Sequence, residues 1–208
     1  MSDFFRPPEP PPEPEPAPLQ PAWLGPPENE IGVAVALRLL LARTEKVAVA
    51  LTNAAAFSTG IEFSLETRLR ERDELSDPFG MRVRQHVRGA GDLPDEVLRF
   101  GFELADGRRV TNVARFPGFD EPQEGPVLIQ RGGGGGERFW SFGYWLWPLP
   151  PPGSLTAVVE WPAEGVPLTR VELDAAALLE AAAASEQLWP GGDPAPGGGA
   201  VGIRQIGP

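Results

Sequence analysis

The sequence predicts an all-β chain, a two-sheet immunoglobulin-like sandwich of about nine or ten strands with one C-terminal α-helix. Three observations predict it. Between about residues 31 and 173 the apolar residues recur with a period of two rather than 3.6, the spacing that sets alternate side chains on one face of a strand. Turn residues separate these runs, and no helical stretch lies between them to carry the crossovers that a parallel sheet needs. Proline is concentrated at the ends, with 11 of 26 in residues 1–30 and four more in residues 190–208. Strand-forming sequence is thereby confined to the middle, because proline removes a backbone donor and fixes φ.

The expected organisation is a proline-rich extended leader over 1–30, a sandwich domain with its terminal helix over 31–189, and a flexible Gly/Pro-rich tail over 190–208. Residues 7–18 alternate proline with glutamate and suit polyproline II or a solvated coil. Trp23 and Leu24 follow, bracketed by Pro21, Pro26 and Pro27. That pair is expected to enter an apolar groove, either of its own chain or of a neighbouring subunit or partner.

The first strands are expected at Val33–Arg43 and 47–57, turning at Thr44-Glu45-Lys46. Ile61, Phe63, Leu65 and Leu69 then share one face, with Glu62, Ser64, Glu66, Arg68 and Arg70 on the other. That alternation marks a half-buried strand. A strand over 81–88 would place Arg82, Arg84, His86 and Arg88 along one side. Leu98, Phe100, Phe102 and Leu104 alternate again. Asp106-Gly107 after them is a hairpin signal, because both residues tolerate positive φ. A strand at 109–114 should follow, and further strands are expected at 127–131, 138–147, 155–161 and 166–171. Between two of these, five consecutive glycines (132–136) read as a mobile connection. Asp174 suits a helix N-cap, residues 175–188 favour helix, and Trp189-Pro190-Gly191 would end it. Leu178, Leu179, Ala182 and Ala183 would form its narrow apolar stripe.

Composition narrows function. A net charge of −11 opposes non-specific binding to nucleic acid and to anionic membranes. No apolar run reaches the length of a membrane span, and the first residues lack the pattern of a signal peptide. A cytoplasmic location is the expectation. With no cysteine and one histidine, thiolate chemistry, disulfides and multi-His metal sites are excluded. Neither a cofactor nor a catalytic residue is expected. The glycine run is not a phosphate loop, since no lysine, hydroxyl or helix follows it. The acidic turn 71–77 lacks the oxygen spacing and central glycine of an EF-hand loop.

Two constellations are left. Arg82, Arg84, His86 and Arg88 could hold an anionic ligand, or could form a charge ladder with Glu62, Glu66 or Glu103 on neighbouring strands. The segment Phe139-Trp-Ser-Phe-Gly-Tyr-Trp-Leu-Trp147 is apolar on both faces. It must be buried on both sides or must present one to a partner. Trp23, Leu24, Trp140, Tyr144, Trp145 and Trp147 are the candidate interface residues. The reading is a non-enzymatic binding or assembly module, with a protein partner or self-association. The alternative is a small-ligand or carbohydrate-type domain using exposed aromatics or the basic strand, which buried indoles would count against.

Trp23-Leu-Gly-Pro-Pro-Glu-Asn-Glu30, Phe100-Gly-Phe102 with Ala105-Asp-Gly-Arg108, the glycine run, Trp145-Leu-Trp-Pro-Leu-Pro-Pro-Pro-Gly153 and Glu160-Trp-Pro-Ala-Glu-Gly165 occur together. In this combination the chain resembles a group of uncharacterised proteins common in high-GC Gram-positive bacteria. The resemblance spans nearly the whole chain and implies a bacterial, intracellular protein. It implies no reaction, cofactor or catalytic residue.

Overall fold

The computed structural model describes residues 20–71, 93–115 and 123–189. Nine strands form two antiparallel sheets that pack face to face. Strands β2 (Val33–Arg43), β3 (Val47–Ala56), β4 (Ile61–Leu69), β8 (Phe139–Trp147) and β7 (Val127–Gly135) make a five-stranded sheet in the order β2-β3-β4-β8-β7. Strands β10 (Val166–Asp174), β9 (Ser154–Trp161), β5 (Arg99–Glu103) and β6 (Arg109–Thr111) make the four-stranded sheet, in that order. A two-residue pair, β1 (Glu30–Ile31) with β11 (Glu186–Gln187), joins the two ends of the described chain.

The sandwich is therefore the architecture that the alternation demands. Its strand order does not support the immunoglobulin label. In that topology the second and third strands lie in opposite sheets, whereas β2, β3 and β4 follow one another in a single sheet.

Each strand buries the face its alternation marks. Phe63 of β4 meets Phe102 of β5 across the interior with ring centroids 5.0 Å apart, and Phe100 meets Tyr144 of β8 at 5.3 Å. Val49, Leu51, Ile61, Leu65, Phe142, Leu146, Leu155 and Val159 complete a dry centre. Thr67, the polar residue on the buried face of β4, donates its hydroxyl to the Trp140 carbonyl at 3.4 Å. A buried hydroxyl left without a partner would be costly.

The helix is α1 (Ala176–Ala183), shorter than the 175–188 expected. The N-cap is Ala175 rather than the Asp174 expected, because Asp174 still belongs to β10; its carboxylate nevertheless receives the Ala176 amide at 2.9 Å. After Ala183 the chain leaves the helix because Glu186 and Gln187 pair with Ile31 and Glu30. Leu178, Ala181 and Ala182 are buried and Leu179 packs against the core, while Ala183 is exposed. The helix lies against β2 and β3. No helix among the described residues is long and apolar enough to cross a membrane.

Candidate functional site

The aromatic strand β8 divides its side chains as its alternation requires. Phe142, Tyr144 and Leu146 are buried in the sandwich, and Trp140 packs against the same core half-buried. Tyr144 is bracketed by Asn112. The asparagine receives the Phe100 amide at 2.8 Å, donates to the Leu98 carbonyl at 2.8 Å, and hydrogen-bonds the tyrosine hydroxyl. Burial pushes the Tyr144 phenol up to about 12.

Trp145 and Trp147 point the other way, onto the outer face of the five-stranded sheet. A segment of the leader covers that face. Trp23 is only 6% exposed and forms a second small core with Ile129 and Trp145, flanked by Leu24, Phe57, Val127 and Trp147. Leu24 donates its amide to the Pro21 carbonyl at 2.9 Å, closing a tight turn that presents the Trp23 ring to the sheet. Two side chains then bind the turn's backbone. The Trp145 indole donates to Ala22 and the Arg131 guanidinium donates to Leu24, both at 3.0 Å.

Residues 22–24, which the expected division places in the leader, are thus packed on the sandwich. Further along, Asn29 is buried and fastens Trp189, which follows the helix and β11. Its side chain donates to the Trp189 carbonyl at 3.1 Å and accepts the Trp189 amide at 2.9 Å. Glu30 receives the hydroxyl of Ser58 at 2.6 Å.

The expected interface residues are thus largely spent on internal contacts. Trp23 and Leu24 dock on their own domain. Trp145 is fully buried beneath them, Tyr144 is buried in the core, and Trp140 and Trp147 are half-buried. These indoles form no open aromatic platform. Arg82, Arg84, His86 and Arg88 lie outside the described residues, as does the acidic turn beyond Glu71. Among the described residues no group of three or more His, Asp or Glu side chains is placed to hold a metal ion.

The glycine run departs most from expectation. Residues 132–135 are not a loose connection but the outer half of β7, paired with β8 from Gly132 opposite Gly143 to Gly135 opposite Trp140. The Gly136 amide closes the hairpin on the Phe139 carbonyl at 2.7 Å. Glycine is required at two of these positions for space. A Cβ on Gly133 would lie 2.8 Å from both the Phe142 ring and the Ser141 carbonyl, and one on Gly135 would strike the Phe139 carbonyl. At Gly132, Gly134 and Gly136 a Cβ would meet nothing within 4 Å.

Among the described residues strand β7 ends its sheet, and residues 131–138 are all exposed. In an antiparallel ladder, pairs that exchange hydrogen bonds alternate with pairs that do not. The Gly136–Phe139 bond sets the phase, so Gly134 and Gly132 bond inward to β8. Gly133 and Gly135 turn their N–H and C=O groups outward. The other edges are blunted, as sheet edges commonly are. Strand β2 has two bulges, two arginines and the helix beside it, β10 has Pro167 and a bulge, and β6 has three residues. Alternation of apolar residues could not reveal this edge, because glycine carries no side chain to alternate. The available signal was a glycine run between a Val-Leu-Ile strand and an aromatic strand, with only a short turn to join them.

No family model, curated protein or solved structure matches the chain.

Proposed function

We propose that the protein is a non-enzymatic assembly module, a β-sandwich that joins polypeptide chains by offering them the open edge of β7. The observation that supports this is the outer half of β7, four exposed glycines whose alternate N–H and C=O groups at Gly133 and Gly135 face away from the sheet. An extended segment from another chain can add a strand there, taking affinity from main-chain hydrogen bonds. Each such bond contributes only about 0.5–1.5 kcal/mol net. The docking is therefore weak unless side chains at the ends of the run add to it. Covered Trp145 and Trp147 favour this edge over an aromatic surface as the point of contact.

The test is capture from native cell lysate by the full chain and by Gly134→Lys, whose side chain enters open space and sets a charge on the edge. Chains that the wild type retains and Gly134→Lys loses, with the aromatic circular dichroism unchanged, are the expected result. An identical retained set would overturn the reading.

A further inference from the structure

We infer that the cleft between the end of helix α1 and the β1–β11 pair is a binding site for an organic cation, an ammonium or guanidinium group carried on a short aliphatic stem. The cleft has a volume of about 440 Å³, a size that suits a small ligand. No residue of β7 lines it, so the site is separate from the edge described above. Leu149, Leu179 and Ala182 give the lining its apolar part, and Glu30, Ser58 and Ser185 its polar part. Glu30 is the charged group, and Ser58 holds its carboxylate in one orientation. The Ser58 amide donates to one oxygen and the Ser58 hydroxyl to the other. A carboxylate has about four acceptor sites, so each oxygen can take a second donor without losing the first.

The sign of the ligand follows from what surrounds that carboxylate. No lysine, arginine or histidine lines the cleft, and among the described residues none forms an ion pair with Glu30. The helix end has the same sign as the carboxylate. Backbone dipoles leave partial negative charge on the last carbonyls of a helix. Ala182, Ala183 and Ser185 bring that end of α1 to the cleft, and its last turn holds no basic residue. An anchored carboxylate thus stands beside the negative end of a helix, an arrangement that costs stability until a cation joins it. A bare metal ion is the poorer fit. Calcium takes about six to eight oxygens, and no group of three His, Asp or Glu side chains gathers among the described residues. Leu149 and Leu179 instead favour a cation with apolar surface to bury.

The experiment is an NMR titration of the isotope-labelled full-length chain, at fixed ionic strength, with n-butylammonium, n-butanol and n-butyrate. Saturable shifts of the Ser58, Ala183 and Gln187 amides are expected with butylammonium. Butanol should bind about tenfold more weakly, because it lacks the charge-assisted hydrogen bond, and butyrate should leave these amides unmoved. Added salt should weaken the butylammonium response. Glu30→Gln keeps an acceptor for the Ser58 amide and should remove the preference for butylammonium over butanol. Ala183→Arg, at an exposed position on the rim, should fill the site with its own guanidinium and abolish binding without lowering the thermal midpoint. That variant decides the matter if Glu30→Gln fails to fold. A blocked lysine peptide that binds at least as tightly as butylammonium assigns the cation to a side chain of another polypeptide, and binding by butylammonium alone assigns it to a free amine. Shifts that stay linear with concentration, that butanol reproduces in full, or that survive both variants overturn the inference.

Discussion

The indole N–H of Trp145 donates to the carbonyl of Ala22 across 3.0 Å, although 123 residues separate them. This bond satisfies the polar atom of a fully buried tryptophan. It also makes a stretch of the proline-rich leader part of the fold, as the lid of the second core.

Removing that lid should be costly. Trp23→Ala takes away the ring that covers Trp145 and Ile129, and a loss of about 3 kcal/mol in unfolding free energy is expected from lost burial and the gap left behind. Chemical denaturation gives the free energy. Acrylamide quenching of native fluorescence should rise together with it, because Trp145 becomes wet. Unchanged quenching would show that the leader rests on the sheet without sealing it.

The central core is joined through phenylalanine. Phe63 and Phe102 approach to 5.0 Å from opposite sheets, so either one replaced by alanine should destabilise by about 3–5 kcal/mol. A double-mutant cycle should show coupling between them, since both changes open the same space.

Tyr144 is the only tyrosine in the chain, which makes its titration directly readable by ultraviolet absorbance. Its phenol is pushed up to about 12 in the folded state, against about 10 when exposed. The folded protein then binds more protons than the unfolded one between these values, so stability must fall as pH rises through that interval. The contribution is present in full below pH 10 and amounts to about 2–3 kcal/mol. Tyrosinate absorbance should appear near pH 12 or together with alkaline unfolding. A midpoint near 10 in folded protein would show that the hydroxyl is wet.

Asn112 connects three groups: the Phe100 amide, the Leu98 carbonyl and the Tyr144 hydroxyl. Asn112→Ala leaves them without that partner, and a loss of about 2–3 kcal/mol in a denaturant titration is expected. Asn112→Asp keeps the acceptor for Phe100 but loses the donors, and should fall between alanine and wild type. Equal stability for all three would mean that water replaces the asparagine without cost.

Much of the fold was legible because period-two alternation is a local property. The bounds of β2 and the buried set of β4 could be read from Val33 to Arg43 and from Ile61 to Leu69, since each residue's face is decided by its neighbours. The doubly apolar pattern of β8 likewise required a cover on both sides. What the cover would be lay beyond local reading. Trp23 is followed by no repeat or spacing that points to Trp145, and only the folded chain brings Ala22 to its indole. The glycine run was misjudged for a related reason. A glycine's conformation is set by what it lies beside, and residues 132–135 become a strand because Phe142 and Trp140 supply a rigid neighbour with no room for a Cβ at Gly133 and Gly135. Composition and alternation by themselves determined a sandwich of antiparallel strands with a terminal helix. Tertiary structure decided which sheet each strand joined, how the aromatic face was sealed and which strand ends the sheet among the described residues. Those three depend on contacts between residues far apart in the chain, whose energies no local window contains.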